Sequence, residues 1–191
     1  MPIDFTRAMP VALPAQCGIM HAYPSVNLAD AFAIHLPAGA TNDPERLARF
    51  IVSQQPSWIG ALIRVRDVMV AVFGLKSAKQ LAALAGDAHA SRVGIFKIYS
   101  ANATEIVLGE DDKHLDFRIS MLCMRGPDDS RQLTVSTVVH CHNLLGRLYI
   151  RVIAPFHRMV VKASLQRAAR VGWPADMGMT SPPELQCIIL K

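Results

Sequence analysis

The chain predicts an α+β fold: a curved antiparallel β-sheet packed on a long C-terminal helix, with two helices inserted after the first strand. Three features carry that prediction. Between Arg92 and His142 the hydrophobic pattern has a period of two, as in half-buried strands whose side chains alternate between faces. After Asn143 the period becomes helical, and Leu145, Leu148, Tyr149, Val152, Phe156, Met159, Val160 and Ala163 follow one stripe. A strand meander with one apolar face needs a cover, and this helix is the long candidate for it.

Each element has its own local signals. Residues 1–27, rich in Pro and small residues, read as an N-terminal segment that wraps over the domain, with Ile19–Tyr23 a candidate extra strand. Residues 28–36, LADAFAIHL, read as the first strand, with Asp30, Phe32 and Ile34 on one face. Asp43 suits a helix N-cap, Pro44 the first helical position and Glu45 the positive end of the dipole; Pro56 stops the helix. Ser57 can cap a second helix that runs to Gly74. Residues 75–91 then connect to four strands, Val93–Ser100, Thr104–Leu108, Lys113–Met124 and Gln132–His142. Their joints are turn chemistry, at Ala101-Asn102, Gly109–Asp112 and Gly126–Asp129. The last helix ends near Arg170, with Pro155 expected to kink it or to mark a join. Residues 28–170 thus read as a single domain, and 171–191 as a tail.

Composition narrows the function classes. With 191 residues the chain suits one domain with a substantial core, and its 18% charged residues point to extensive burial rather than disorder. The formal charge of +5 is diffuse, without a Lys/Arg block and with 6% aromatic residues, so nucleic-acid binding is not expected. The basic row Arg147, Arg151, Arg158 and Lys162 has helical spacing and reads as a solvated face. Cys17, Cys123, Cys141 and Cys187 form no C-x-x-C pair, and no apolar run reaches membrane-spanning length. The amino terminus lacks the charge and apolar pattern of a signal peptide, so a cytoplasmic protein without a membrane span is the expectation.

The stretch Gly109–Ser120, GEDDKHLDFRIS, carries the densest set of candidate functional groups. As a strand it puts Leu115, Phe117, Ile119 and Met121 on one face and His114, Asp116, Arg118 and Ser120 on the other. The next strand splits likewise, Val135, Thr137, Val139 and Cys141 against Thr134, Ser136, Val138, His140 and His142. Side by side, the two polar faces bring histidines near an aspartate and an arginine. They suit a wet sheet face laced by ion pairs. They also suit the polar end of an apolar ligand pocket. A third reading is a metal site built on His140-x-His142 with His114 and Asp116. A strand without a bulge cannot aim both the apolar and the polar set into one cavity.

The order of elements resembles the helix-grip fold of the START and Bet v 1 superfamily, in which a curved sheet wraps a C-terminal helix around an apolar cavity. Five strands are legible here, against the seven usual in that superfamily. A more specific resemblance rests on Val107-Leu108-Gly109, Asp111-Asp112, His114-Leu115-Asp116-Phe117-Arg118, Pro56-x-Trp58, Arg66-Asp67, Phe73-Gly74-Leu75, His142-Asn143, Gly146-Arg147, Tyr149 and Pro155-Phe156-His157-Arg158. Taken in chain order, they are similar to an uncharacterised bacterial family, domain of unknown function twenty-eight sixty-seven, over roughly residues 28–170. The resemblance implies a helix-grip-like domain and no particular reaction. Some relatives are fused behind a nucleotide-binding oxidoreductase domain; this chain has no strand-bound G-x-G-x-x-G, so no dinucleotide site is inferred.

The leading expectation is a protein that binds a small apolar or amphipathic molecule between the sheet and the last helix. Its site would draw on His114, Asp116, Arg118, His140, His142, Phe117, Phe156 and His157, with Leu115, Ile119, Val139, Val152 and Met159 completing the apolar wall. No cofactor and no resident metal are assigned. Two alternatives use the same polar residues: a cyclase- or isomerase-like enzyme with a histidine base and Arg118 as anion stabiliser, and an interaction module whose charged face pairs with another chain, for example in a homodimer.

Overall fold

The computed structural model describes residues 4–62, 91–126 and 130–176. A seven-stranded antiparallel sheet is built from β1 (Met9–Val11), β2 (Leu28–His35), β3 (Arg92–Val93), β4 (Phe96–Ala101), β5 (Glu105–Asp111), β6 (Leu115–Arg125) and β7 (Arg131–Cys141), in spatial order β1-β2-β7-β6-β5-β4-β3. Helix α1 (Pro44–Ser53) follows β2, residues 57–62 begin a second helical segment, and the long α2 (Leu144–Val171) closes the described chain. The rest of the expected second helix, to Gly74, and most of the connector after it lie outside the described residues. Among the described residues no helix is long and apolar enough to cross a membrane.

Two of the seven strands escape the alternation rule because they are so short. β1 lies in the Pro-rich amino-terminal segment and pairs with β2 through Met9–Ala33 to Val11–Ala31. β3 is split from β4 by a two-residue hairpin loop, where Gly94 holds φ at 58°. Gly94 is therefore the break in what reads as one run from Val93. The expected strand at Ile19–Tyr23 is a chain of turns and bends instead. β5 is longer than expected and carries Gly109, Glu110 and Asp111, so the turn shifts to Asp112–His114.

The helix signals act as their chemistry requires. Asp43 caps α1 by accepting from the Glu45 and Arg46 amides, and Gln54 ends the helix ahead of Pro56. Asn143 caps α2 by accepting from the Gly146 amide at 3.0 Å. α2 runs through Pro155 as one helix of 28 residues.

The main core fills the space between one end of the sheet, α1 and the carboxy-terminal half of α2. It unites Phe32, Ile34, Leu47, Ile51, Ile106, Leu108, Leu133, Val135, Leu165 and Ala168. Trp173 packs on its edge, 6.2 Å from Phe50. A smaller cluster of Leu28, Leu115, Val139, Cys141 and Ile150 holds the amino-terminal half of α2. The buried row of α2 is Gly146, Ile150, Ser164, Leu165 and Ala168. The expected stripe lies a fraction of a turn away, leaving Val152, Phe156 and Met159 about half exposed, at 50%, 46% and 47%.

The other face of the sheet is also covered. Residues 13–25 cross it, and Cys17 and Ile19 bury themselves against Val107 and Val138, with Leu13, Tyr23 and Tyr99 alongside. The crossing is anchored on Glu105, which accepts from the Gly18 amide (2.9 and 3.2 Å) and from the Ser120 hydroxyl (2.5 Å). Glu105, Ser120, Thr134 and Ser136 are consequently buried.

Candidate functional site

Between the two apolar clusters on the helix side of the sheet lies a cavity of about 510 Å³. Its position follows from the strand alternation. The residues paired across β6 and β7, Phe117 with Val139 and Ile119 with Thr137, share one face. They line the cavity together with Leu28, Leu115 and Phe96. α2 contributes the opposite wall through Tyr149, Ile150, Val152, Ile153, Phe156, His157 and Val160. Gln55, Ile59, Leu62 and Ile95 close a third side. Most of this lining is hydrocarbon, and the size is in the range of pockets that enclose small organic molecules.

Of the expected site residues, Phe117, Phe156 and His157 line this cavity, as do Leu115, Ile119, Val139 and Val152 of the expected wall. Met159 does not line it. Neither do His114, Asp116, Arg118, His140 and His142. The β6–β7 register runs unbroken from Leu115–Cys141 to Arg125–Arg131, so Asp116, Arg118 and His140 point away from the helix. The register shift in the sheet is in β4, between Ile98 and Ser100, too far away to re-aim them.

These polar groups instead tie the outer face together. The Arg118 guanidinium lies 3.6 Å from the Tyr99 ring centre and 5.5 Å from that of Tyr23, and it donates to Asp111 Oδ1 at 2.7 Å. The Tyr99 hydroxyl donates to Asp111 Oδ2 at 2.7 Å. Burial opposes the charge on Asp111, but the hydrogen bonds from Arg118 and Tyr99 outweigh it and hold the carboxyl below its ordinary range. Burial, followed by the bond to Asp111, pushes the Tyr99 phenol up to about 12. Tyr23 stacks on His140 at 5.6 Å, and His140 Nδ1 donates to the Ser25 carbonyl at 2.8 Å. His114 Nδ1 accepts from the side chain of Asn143, the cap of α2. The charged strand therefore fastens the amino-terminal crossing on one side and the start of α2 on the other.

Asp116 and His142 form the pH-sensitive member of this set. His142 Nε2 donates to Asp116 Oδ2 at 2.9 Å and Nδ1 donates to the Lys113 carbonyl at 3.3 Å, an arrangement that uses both ring protons. The bond to Asp116 raises the His142 pKa above 6.5. A raised histidine pKa stabilises the fold below the unfolded value, and that stabilisation is lost as pH rises through the folded value. The Asp116→Asn change should return the His142 titration midpoint, followed by NMR, toward 6.5. It should also destabilise more at pH about 6 than at about 8.5, by under about 1 kcal/mol because the pair is partly open to solvent. An unmoved midpoint would refute the pairing.

Besides His157, the polar groups that face the cavity are ones not assigned to the site from sequence. Glu110 lines it and pairs with Arg92 at 3.3 Å, both side chains largely buried. Asp112, Gln55 and Thr137 line it too. Behind them Asp30 accepts from Arg158 Nε at 3.2 Å and stands 3.4 Å from His157 Nε2. The available signal was a polar residue inside an apolar alternating row: Asp30 beside Phe32 and Ile34, Thr137 between Val135 and Val139.

Among the described residues no three His, Cys, Asp or Glu side chains converge as metal ligands. The cysteines in view behave as apolar residues: Cys17 and Cys141 are buried, and burial pushes the Cys123 thiol up to about 11. Cys187 lies outside the described residues.

No curated protein and no solved structure is significantly similar to the chain. A family model does match, over residues 22–164, which takes in the sheet from β2 to β7, the cavity walls and the polar groups around Arg118 on the outer face. On that match the chain belongs to the family described as Protein of unknown function (DUF2867).

Proposed function

We propose that this protein binds a small, largely apolar molecule in the cavity between the sheet and α2. The observation that carries this reading is the cavity of about 510 Å³ with hydrocarbon on the sheet wall and on the helix wall. A concave, hydrocarbon-lined surface is poorly solvated by water, and its burial by an apolar occupant is favourable. The sheet and its long carboxy-terminal helix also support a helix-grip arrangement of the START-like kind. The alternative enzyme and interaction readings gain no support from the outer polar residues, which bond chiefly to one another and to the chain that crosses them.

The test is a titration with a neutral naphthylamine dye whose fluorescence rises in apolar surroundings. One saturable site is expected. Ile119 is half-buried on the sheet wall, so Ile119→Trp should fill the cavity and weaken dye binding by about tenfold or more, with the fold retained by circular dichroism. Equal binding by that variant would defeat the proposal.

A further inference from the structure

Among the described residues, the helix-side face contains three buried polar atoms without a hydrogen-bond partner in one neighbourhood: Asp30 Oδ1, Thr137 Oγ1 and His157 Nε2. Asp30 and Thr137 are directly opposite in the β2–β7 register, and His157 Nε2 is 3.4 Å from Asp30 Oδ1. Thr137 is 2% exposed, and both Thr137 and His157 line the cavity. Buried polar atoms in folded proteins are bonded in the great majority of cases. Thr137 Oγ1 and His157 Nε2, on residues that line the cavity, mark the place where an occupant supplies the missing bonds.

Their chemistry defines that occupant. Asp30 Oδ1 accepts and has no use for another acceptor, and its carboxylate disfavours an anion. A cation is disfavoured as well, because Arg158 already lies on Asp30 Oδ2 at 3.2 Å and the nearby cavity wall is apolar. Thr137 Oγ1 can donate. A neutral hydroxyl combines one donor with two acceptor lone pairs, so it can donate to the Asp30–His157 pair while accepting from Thr137. We infer that the cavity takes an alcohol or phenol with an apolar body, its hydroxyl held at Thr137 and His157 with Asp30 behind them. This rests on the binding reading above and specifies its ligand class.

The experiment is displacement of the naphthylamine dye by butylbenzene, para-butylphenol and para-butylbenzoate, on the native protein and on Thr137→Val. On the native protein the phenol should bind about tenfold or more tighter than butylbenzene, and the benzoate weakest, since a site built to bond a hydroxyl rejects the analogue that lacks it. Thr137→Val, nearly the same shape, should shrink the preference for phenol over butylbenzene to about threefold or less. Equal binding of butylbenzene and the phenol on the native protein overturns the hydroxyl site while leaving the cavity in use. Preference for the benzoate overturns it in favour of an anion site. Failure of the dye and all three competitors to bind overturns the cavity reading itself.

Discussion

Replacing Glu105 by Ala should destabilise the protein by about 3 kcal/mol, the largest loss expected from any single polar side chain on the outer face. Glu105 is 7% exposed, and its carboxyl is the acceptor for both the Gly18 amide and the Ser120 hydroxyl. Truncation strands the Ser120 hydroxyl in a residue with no exposed surface, and it releases the one described hydrogen bond between the Gly18 amide and the sheet. Around Gly18 the crossing would then be held by the apolar contacts of Cys17 and Ile19, with its later part still fastened through Tyr23 and Ser25 on His140. Urea unfolding measures the loss, and limited proteolysis at residues 12–25 reports whether the crossing has loosened. Glu105→Gln keeps one acceptor oxygen and should lose about half as much. If the Ala variant unfolds at the native urea midpoint, the anchor role is wrong.

Gly146→Ala should cost a similar amount, about 3 kcal/mol, for a steric reason. A Cβ at that position would stand 2.3 Å from the His114 carbonyl oxygen and 3.3 Å from Cys141 Cβ. The carbonyl cannot retreat freely, because it accepts from the His142 amide at 2.9 Å. The start of α2 must move instead, and with it Tyr149 and Ile150 of the cavity wall. Dye affinity should therefore fall together with stability. Leu144→Ala, two residues earlier and 78% exposed, should change stability by less than about 0.5 kcal/mol. Similar behaviour of the two variants would show that the tight approach at Gly146 is unimportant.

Much of the fold is legible in the period of the hydrophobic pattern, because alternation and helical spacing are local. The same rule assigns faces correctly: Phe117, Ile119 and Val139 to the cavity side, Asp116, Arg118 and His140 to the other. What covers each face is not local. Gly18 and Glu105 are 87 residues apart, and neither stands out by type or spacing. Charge density drew attention to the outer strand, whereas the cavity is bordered by single polar residues such as Thr137 and Asp30 that alternation treats as exceptions. A stripe centred on Val152 and Phe156 leaves His157 at its edge. The buried row, through Ile150 and Leu165, puts His157 on the sheet side, against Asp30.

The two outermost strands of the sheet have three residues and two residues, and Pro10 stands in the middle of the first. A strand that short offers a neighbouring molecule few unpaired amides and carbonyls, and proline withholds one amide altogether. The two longest strands, β6 and β7, each with one apolar face, are flanked on both sides within the chain. The sheet is thereby guarded against growing by edge addition into fibres or swapped dimers, so a protein that keeps a hydrocarbon-lined hollow open need not also present a sticky rim.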